Sequence, residues 1–133
     1  MKRSVVVDAS ALAASLVDSG SDGVWASATL SNAHLAAPSL IEFEAANIFR
    51  GLERGGKISA DQAAQAHADL VDMPIEYWPY ELLAPSAWLH RHNLTIYDAS
   101  YVALAEQRGV TLVTLDRRLG RSPGLSCAVE HPQ

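Results

Sequence analysis

Apolar positions fall into two kinds of segment along the chain. The first kind is short, continuous and rich in β-branched residues. Ser4-Val5-Val6-Val7 and Val110-Thr111-Leu112-Val113-Thr114-Leu115 are the strongest examples. Such runs suit strands buried on both faces, because a strand with one wet face would alternate apolar and polar side chains. Weaker candidates are His34-Leu35-Ala36-Ala37, stopped by Pro38, then Ile75-Glu76-Tyr77-Trp78 and Ser126-Cys127-Ala128-Val129. The second kind repeats at helical spacing. It predicts helices over 9–17 and 21–30, from about Ser39 to Arg54, from Ser59 to about Val71, over 82–92, and from Thr95 to Arg108. Pro38 is placed to open the third of these. Ser59 with Gln62, and Thr95 with Asp98, have the spacing of capping boxes. Strands alternating with helices predict one α/β domain over 1–133, in three layers: a central parallel sheet of four to five short strands with helices on both faces.

Composition narrows the function classes. A chain of 133 residues buries one core. A net charge of −5 argues against a general nucleic-acid glue, since non-specific binding is mostly phosphate neutralisation. It leaves room for a nuclease, because carboxylates that hold a divalent cation also make a domain acidic. The single cysteine, Cys127, excludes an internal disulfide. No apolar run is long enough to span a membrane, and Met1-Lys2-Arg3 leads into no signal-peptide pattern, so a cytoplasmic protein with no membrane partner is expected.

Four acids stand out by position. Asp8 and Asp116 each follow one of the two strong strand runs, and in open parallel sheets the functional crevice lies beyond the carboxyl ends of the strands. Asp98 sits in the first turn of a helix whose register runs through Tyr97, Tyr101, Leu104 and Ala105. In the helix from Ser39, the residues Ile41, Ala45, Ile48 and Leu52 form one stripe, and Glu44 borders it. Glu42, Arg50 and Glu53 lie well off it. A carboxylate at the edge of a packed face needs a partner, and a salt bridge would serve as well as a metal. Asp8 and Asp116 are also acceptable N-caps. As a set, however, the four supply carboxylate oxygen with no matching Cys or His cluster, which suits a hard cation, Mg²⁺ or Mn²⁺. His90 and His92, two apart on a helix, point to different faces and read as surface residues.

These residues carry a resemblance. Val5-Val6-Val7-Asp8-Ala9-Ser10-Ala11 resembles the opening of PIN-domain ribonucleases, in particular the VapC toxins of bacterial toxin–antitoxin pairs. Pro38-Ser39-Leu40 followed by Glu44-Ala45-Ala46-Asn47 is similar to their Pro-to-Glu-x-x-Asn helix. Tyr97-Asp98-Ala99 with Leu104-Ala105 resembles their third acidic motif, and Thr114-Leu115-Asp116 the fourth. The four occur in order over nearly the whole chain. The resemblance implies a Mg²⁺- or Mn²⁺-dependent endoribonuclease with Asp8, Glu44, Asp98 and Asp116 as the catalytic and metal-holding acids. It implies Ser10, Asn47 and Thr114 as supporting polar groups. It also implies a VapB-like antitoxin partner and a homodimer. Basic residues should rim the pocket for the RNA substrate, and Arg117, Arg118 and Arg121 are placed for that. Leu40, Phe43 and Phe49 lie off the inward stripe of their helix, which suggests a face packed against another chain. The stretch from Gly55 to Leu94 carries no motif.

The rival reading is a receiver-like phosphoacceptor module, also a small α/β domain with acids at strand ends. It would want an adjacent acid pair after the first strand and a lysine after the last long one. Asp8 is followed by Ala9 and Ser10, and the only lysines are Lys2 and Lys57.

Overall fold

A computed structural model describes residues 2–133. In chain order the elements are β1 (Arg3–Val7), α1 (Ala9–Val17), α2 (Ser21–Leu30), β2 (Ala33–Pro38), α3 (Ile41–Arg54) and α4 (Ala60–Asp72). There follow β3 (Ile75–Trp78), α5 (Tyr80–Leu89), α6 (Ile96–Arg108), β4 (Thr111–Val113), a 3₁₀ turn (Leu119–Arg121) and β5 (Val129–Glu130). All four strand pairings are parallel, and the sheet order is β3-β2-β1-β4-β5. The order reverses between β1 and β4. Because parallel crossovers are right-handed, the connections β1→β2→β3 and the return β3→β4 put their helices on opposite faces. The first group is α1 to α4, packed on one another; the second is α5 and α6, with α6 lying against β1, β2 and β4.

The β-branched runs do what the pattern predicts. Val5, Val6 and Val7 are at most 1% exposed, and Val5 registers with Leu35 on one side and Thr111 on the other. Helix ends are set by local chemistry. The Ser59 hydroxyl accepts from the Gln62 N–H (3.1 Å), and the Gln62 side chain accepts from the Ser59 N–H (2.8 Å), so that box is complete. Gly109 closes α6 in the left-handed region (φ +64), where a side chain would be strained.

Several expectations are corrected. Pro38 ends β2, paired with Trp78, rather than opening α3, which starts at Ile41. Pro38 lies beyond Ala36, the last β2 residue paired with β1, so its missing N–H breaks no bond of that ladder, and the next donor, Ser39 N–H, bonds to the Trp78 carbonyl. Phe49 is 2% exposed and belongs to the core stripe with Ile41 and Ala45, whereas Phe43 is 81% exposed. Tyr97 is exposed and leaves the α6 core face. That helix is not amphipathic in its middle: Ala99 to Ala105 are all buried, since small side chains let it be enclosed on every side. His90 is half-buried, not a surface residue, and its Nε2 lies 2.8 Å from Glu106 Oε1.

Candidate active site

The reversal in strand order opens a crevice at the carboxyl ends of β1 and β4, where chains leave in opposite directions. Asp8 is the first residue beyond β1, and its N–H bonds to the Val113 carbonyl at the end of β4 (3.0 Å). Thr114 continues β4 far enough to donate its N–H to Glu130, and Asp116 follows two residues on. Helix α6 begins at the same end and brings Asp98 in its first turn. Helix α3 contributes Glu44 and, one turn later, Asn47 and Ile48. A cavity of about 340 Å³ is lined by Asp8, Ser10, Glu44, Asn47, Ile48, Asp98, Tyr101 and Asp116. A smaller one of about 230 Å³ adjoins it across Asp98 and Asp116, with Asn93, Thr95, Arg118 and Ser122. All four sequence-predicted acids therefore share one cavity.

Their hydrogen bonding differs in a way that ranks their free capacity. Asp8 is the most heavily fixed. Its Oδ1 accepts from the Ser10 hydroxyl (2.7 Å) and the Ala11 N–H (3.0 Å), capping α1, and its Oδ2 accepts from the Thr114 hydroxyl. Each hydroxyl is itself held from the other side: Ser10 Oγ accepts from the Leu115 N–H (3.1 Å) and Thr114 Oγ1 from the Asp116 N–H (2.9 Å). Ser10 and fully buried Thr114 thus lock Asp8 to the segment that carries Asp116. Among the described residues Glu44 finds no cation; its Oε1 accepts from the Tyr101 hydroxyl (2.6 Å), leaving Oε2 open. Asp116 accepts from the Arg118 N–H (2.9 Å) and its guanidinium (3.3 Å). Asp98 is the least committed. Thr95 caps α6 by accepting from the Asp98 N–H (3.1 Å), but the reciprocal half of the box is absent, so the carboxylate is left for the cavity.

The electrostatics follow. Burial pushes the Asp8, Glu44 and Asp98 carboxyls above the usual carboxylate range, and their neighbours add to the shift: Asp98 acts on Asp8, Asp98 and Asp8 on Glu44, and Asp116 on Asp98. Hydrogen bonds from Thr114, Ala11 and Ser10 oppose the shift at Asp8, and that from Tyr101 opposes it at Glu44. Asp116 alone is held low, by Arg118. Burial, then Glu44, drives the Tyr101 phenol far above its ordinary value, so it remains a donor.

A crowded set of carboxylates wants a cation, and the donor chemistry, all oxygen with no thiolate or imidazole, fits a hard divalent ion. Among the described residues no three acids converge tightly enough to form one closed coordination cage. That also fits such an ion, which takes one or two carboxylates directly and retains several waters that the others can accept from.

Of the three arginines expected at the rim, the structure brings Arg118 alone to the acids. Arg117 is turned to the carbonyls of Pro132 (3.0 Å) and Gln133 (2.6 Å), and Arg121 lies exposed in the 3₁₀ turn, lining neither cavity. Asn47 lines the cavity from an exposed position on α3. Tyr101 was legible only as a core aromatic. Its spacing held the signal: three residues after Asp98, it shares that residue's helix face.

Comparison with known proteins agrees with this fold. The PIN domain family model matches residues 5–125. Ribonuclease VapC1 of Mycobacterium tuberculosis is 35% identical over 126 residues, covering 94% of this chain and 95% of the relative. The structure of PAE2754 from Pyrobaculum aerophilum superposes with a TM-score of 0.66 at 27% identity, covering 96% of this chain and 83% of that one. VapBC2 from Rickettsia felis, solved with a promoter DNA fragment, shares the fold at a TM-score of 0.56 and 16% identity, over 96% and 98% of the two chains. The chain belongs to the PIN-domain family, among the VapC ribonucleases.

Proposed function

We propose that this chain is a metal-dependent endoribonuclease, the toxin of a toxin–antitoxin pair, hydrolysing RNA phosphodiester bonds with Mg²⁺ or Mn²⁺ at the Asp8, Glu44, Asp98 and Asp116 cluster. One observation carries the reading: four carboxylates share one cavity at the point where the strand order reverses, and among the described residues the only cation touching them is an exposed arginine. Structural acids would be paired; among the described residues Asp8, Glu44 and Asp98 have no cation partner. The VapC relatives are metal-dependent enzymes, and the donor set here matches that need.

When bound, such an ion supplies Lewis-acid chemistry, making water acidic enough to attack phosphorus and neutralising charge that builds on the phosphate. The residues supply position. Asp98 and the open Oε2 of Glu44 have the free lone pairs to hold the ion. Asp8, with Oδ1 saturated by two donors, offers its remaining capacity at Oδ2. Asp116 is available once Arg118 swings away, and that guanidinium is then free to hold a substrate phosphate at the edge of the second cavity. Ser10 and Thr114 keep Asp8 from rotating, and Asn47 offers an amide to the backbone of the RNA.

Two partners follow from the same surfaces. An antitoxin of the VapB kind would place a basic side chain in the acidic cavity and compete with the metal for it. A second copy of the chain would cover Phe43, whose ring is left exposed on α3. Light scattering on wild type and Phe43→Ser tests the dimer, and a monomeric wild type would remove it. The function is tested by incubating purified protein with RNA. Cleavage should require Mg²⁺ or Mn²⁺, stop with EDTA and be lost in Asp98→Asn, with Glu42→Gln as an active control. Undiminished cleavage by Asp98→Asn would end the assignment.

A further inference from the structure

Among the described residues, the bond between Tyr101 and Glu44 is the one side-chain hydrogen bond that joins α3 to α6. It runs across the cavity that these two helices wall. Tyr101 is 2% exposed, so its ring is fixed by the core, and its hydroxyl reaches out of that core into the acid cluster. Asp98 and Tyr101 are three residues apart on α6 and lie on one face of it. The helix therefore delivers an acid and a rigid donor together, and the donor reaches the acid on the opposite wall. The bond is short for a neutral donor, 2.6 Å, as expected when a hydroxyl meets a carboxylate.

We propose that Tyr101 is a positioning residue for the metal site: it holds Oε1 of Glu44, so that this carboxylate presents only Oε2 to the ion. A glutamate side chain has three free torsions and could otherwise turn both oxygens to a cation, or turn away from it. Asp8 is fixed by the hydroxyls of Thr114, just past β4, and Ser10 in α1; Glu44, on a longer stem, has the phenol alone. Tyr101 thereby sets both the spacing of Glu44 from Asp98 and the number of oxygens Glu44 contributes. This rests on the nuclease reading above.

Tyr101→Phe removes the hydroxyl and keeps the buried ring, so the metal-free protein should melt within about 4 °C of wild type. Its Mn²⁺ dissociation constant, measured by calorimetry without RNA, should rise about tenfold, as is typical when a residue supporting a metal ligand is removed. The effect should vanish in a Glu44→Ala background, because Tyr101 acts only through Glu44. An unchanged Mn²⁺ affinity, or the same tenfold loss when Glu44 is already alanine, would overturn the proposal. A second measurement needs no variant. In wild type, the Tyr101 hydroxyl proton should be slow to exchange by NMR and should stay hydrogen-bonded when Mg²⁺ is added; its loss on Mg²⁺ binding would mean that Glu44 rotates to use both oxygens, and would also overturn the proposal. The controls separate this from the parent reading. If wild type neither binds Mn²⁺ nor cleaves RNA, both fall. If wild type does both, Asp98→Asn does neither, and Tyr101→Phe matches wild type, only the Tyr101 inference falls.

Discussion

The two ends of the sheet make opposite use of charge. At the amino ends of the strands lies the larger cavity, about 460 Å³, lined by Ser4, His34, Met73, Glu76, Arg108 and the apolar strand starts. Its charges are matched. Glu76 pairs with Arg108 and accepts from the Trp78 indole N–H (3.0 Å), and Arg108 also lies over the Trp78 ring, 5.6 Å from its centre. At the carboxyl ends the cavity is smaller, yet four acids face it with one exposed arginine among them. Glu76 is held below its ordinary value by its partners, while Asp8, Glu44 and Asp98 are held above theirs by burial and by each other. Volume alone would choose the amino end. Uncompensated charge chooses the carboxyl end, because a fold tolerates like charges in proximity only where something else neutralises them.

The sharpest test of this contrast is activity. Asp98→Asn should lower RNA cleavage by at least about 10²–10³-fold, the loss typical of removing one preorganised charge-stabilising group. Glu76→Gln should leave cleavage within about twofold of wild type. Equal losses from both would erase the distinction between the ends. Asp98→Asn should fold well, since the Thr95 hydroxyl beside its carboxylate can donate equally to an amide oxygen. Asp8→Asn is a poorer probe: three donors converge on Asp8, and an amide nitrogen would face one of them.

The same contrast explains what the sequence could and could not reveal. Asp8 and Asp116 were legible because β-branched runs mark strand ends, and strand ends mark the crevice. Asp98 was legible from the helix start, and Glu44 from its place beside an apolar stripe. Tyr101 was not, because an aromatic at helical spacing is ordinarily core, and it is core as well; only its hydroxyl serves the site. Phe49 was assigned to the outer face because a stripe through Ile48 and Leu52 drew the helix axis slightly off, and both of those residues are only half-buried. The central helix α6 misled for another reason. Alanine gives little polarity to a pattern, so seven consecutive buried residues look like an amphipathic half. The arginines behaved as tails of the pattern: a basic turn next to an acid sets up proximity in sequence, and only Arg118 converts it into contact.

A divalent cation should stabilise the carboxyl end and ignore the other. At about a hundred times its dissociation constant, an ion that binds only the folded chain adds about 2.7 kcal/mol, which for a domain of this size raises the melting temperature by roughly 10 °C. Differential scanning fluorimetry with Mn²⁺ should show this shift in wild type and in Glu76→Gln, and a much smaller one in Asp98→Asn. A shift of the same size in all three would place the ion elsewhere.

The pH dependence sharpens the comparison further. Burial raises the folded-state values of Asp8, Glu44 and Asp98, so the folded chain holds protons that the unfolded chain has already released. Their contribution to stability is therefore full below the unfolded carboxylate value, near 4, and is lost as pH rises through the raised folded values. Asp116 and Glu76 run the other way: their stabilisation is present above the unfolded value and is lost as pH falls through their lowered folded values. Above about pH 5 those two are ionised in both states and add no slope. The metal-free protein should thus lose stability as pH rises from about 4 through the raised folded values, and Asp98→Asn should reduce that loss. A slope unchanged by Asp98→Asn would show that this acid is not strained in the fold.

The smallest effect belongs to the matched end. Glu76→Gln removes an ion pair whose acid is 57% exposed and whose arginine is 35% exposed. Solvent screens such pairs, so the loss should stay below about 1 kcal/mol and shrink further as salt is raised. The indole bond should survive, since a glutamine carbonyl still accepts from Trp78, and Arg108 keeps its place over the ring. Urea unfolding at low and high salt measures this directly. A loss of several kcal/mol that persists in high salt would mean that the Glu76–Arg108 pair is desolvated in solution and holds the β3 edge to α6. The amino end would then carry a buried charge network of its own, and the difference between the two ends would lie in how charge is balanced rather than in how much of it is buried.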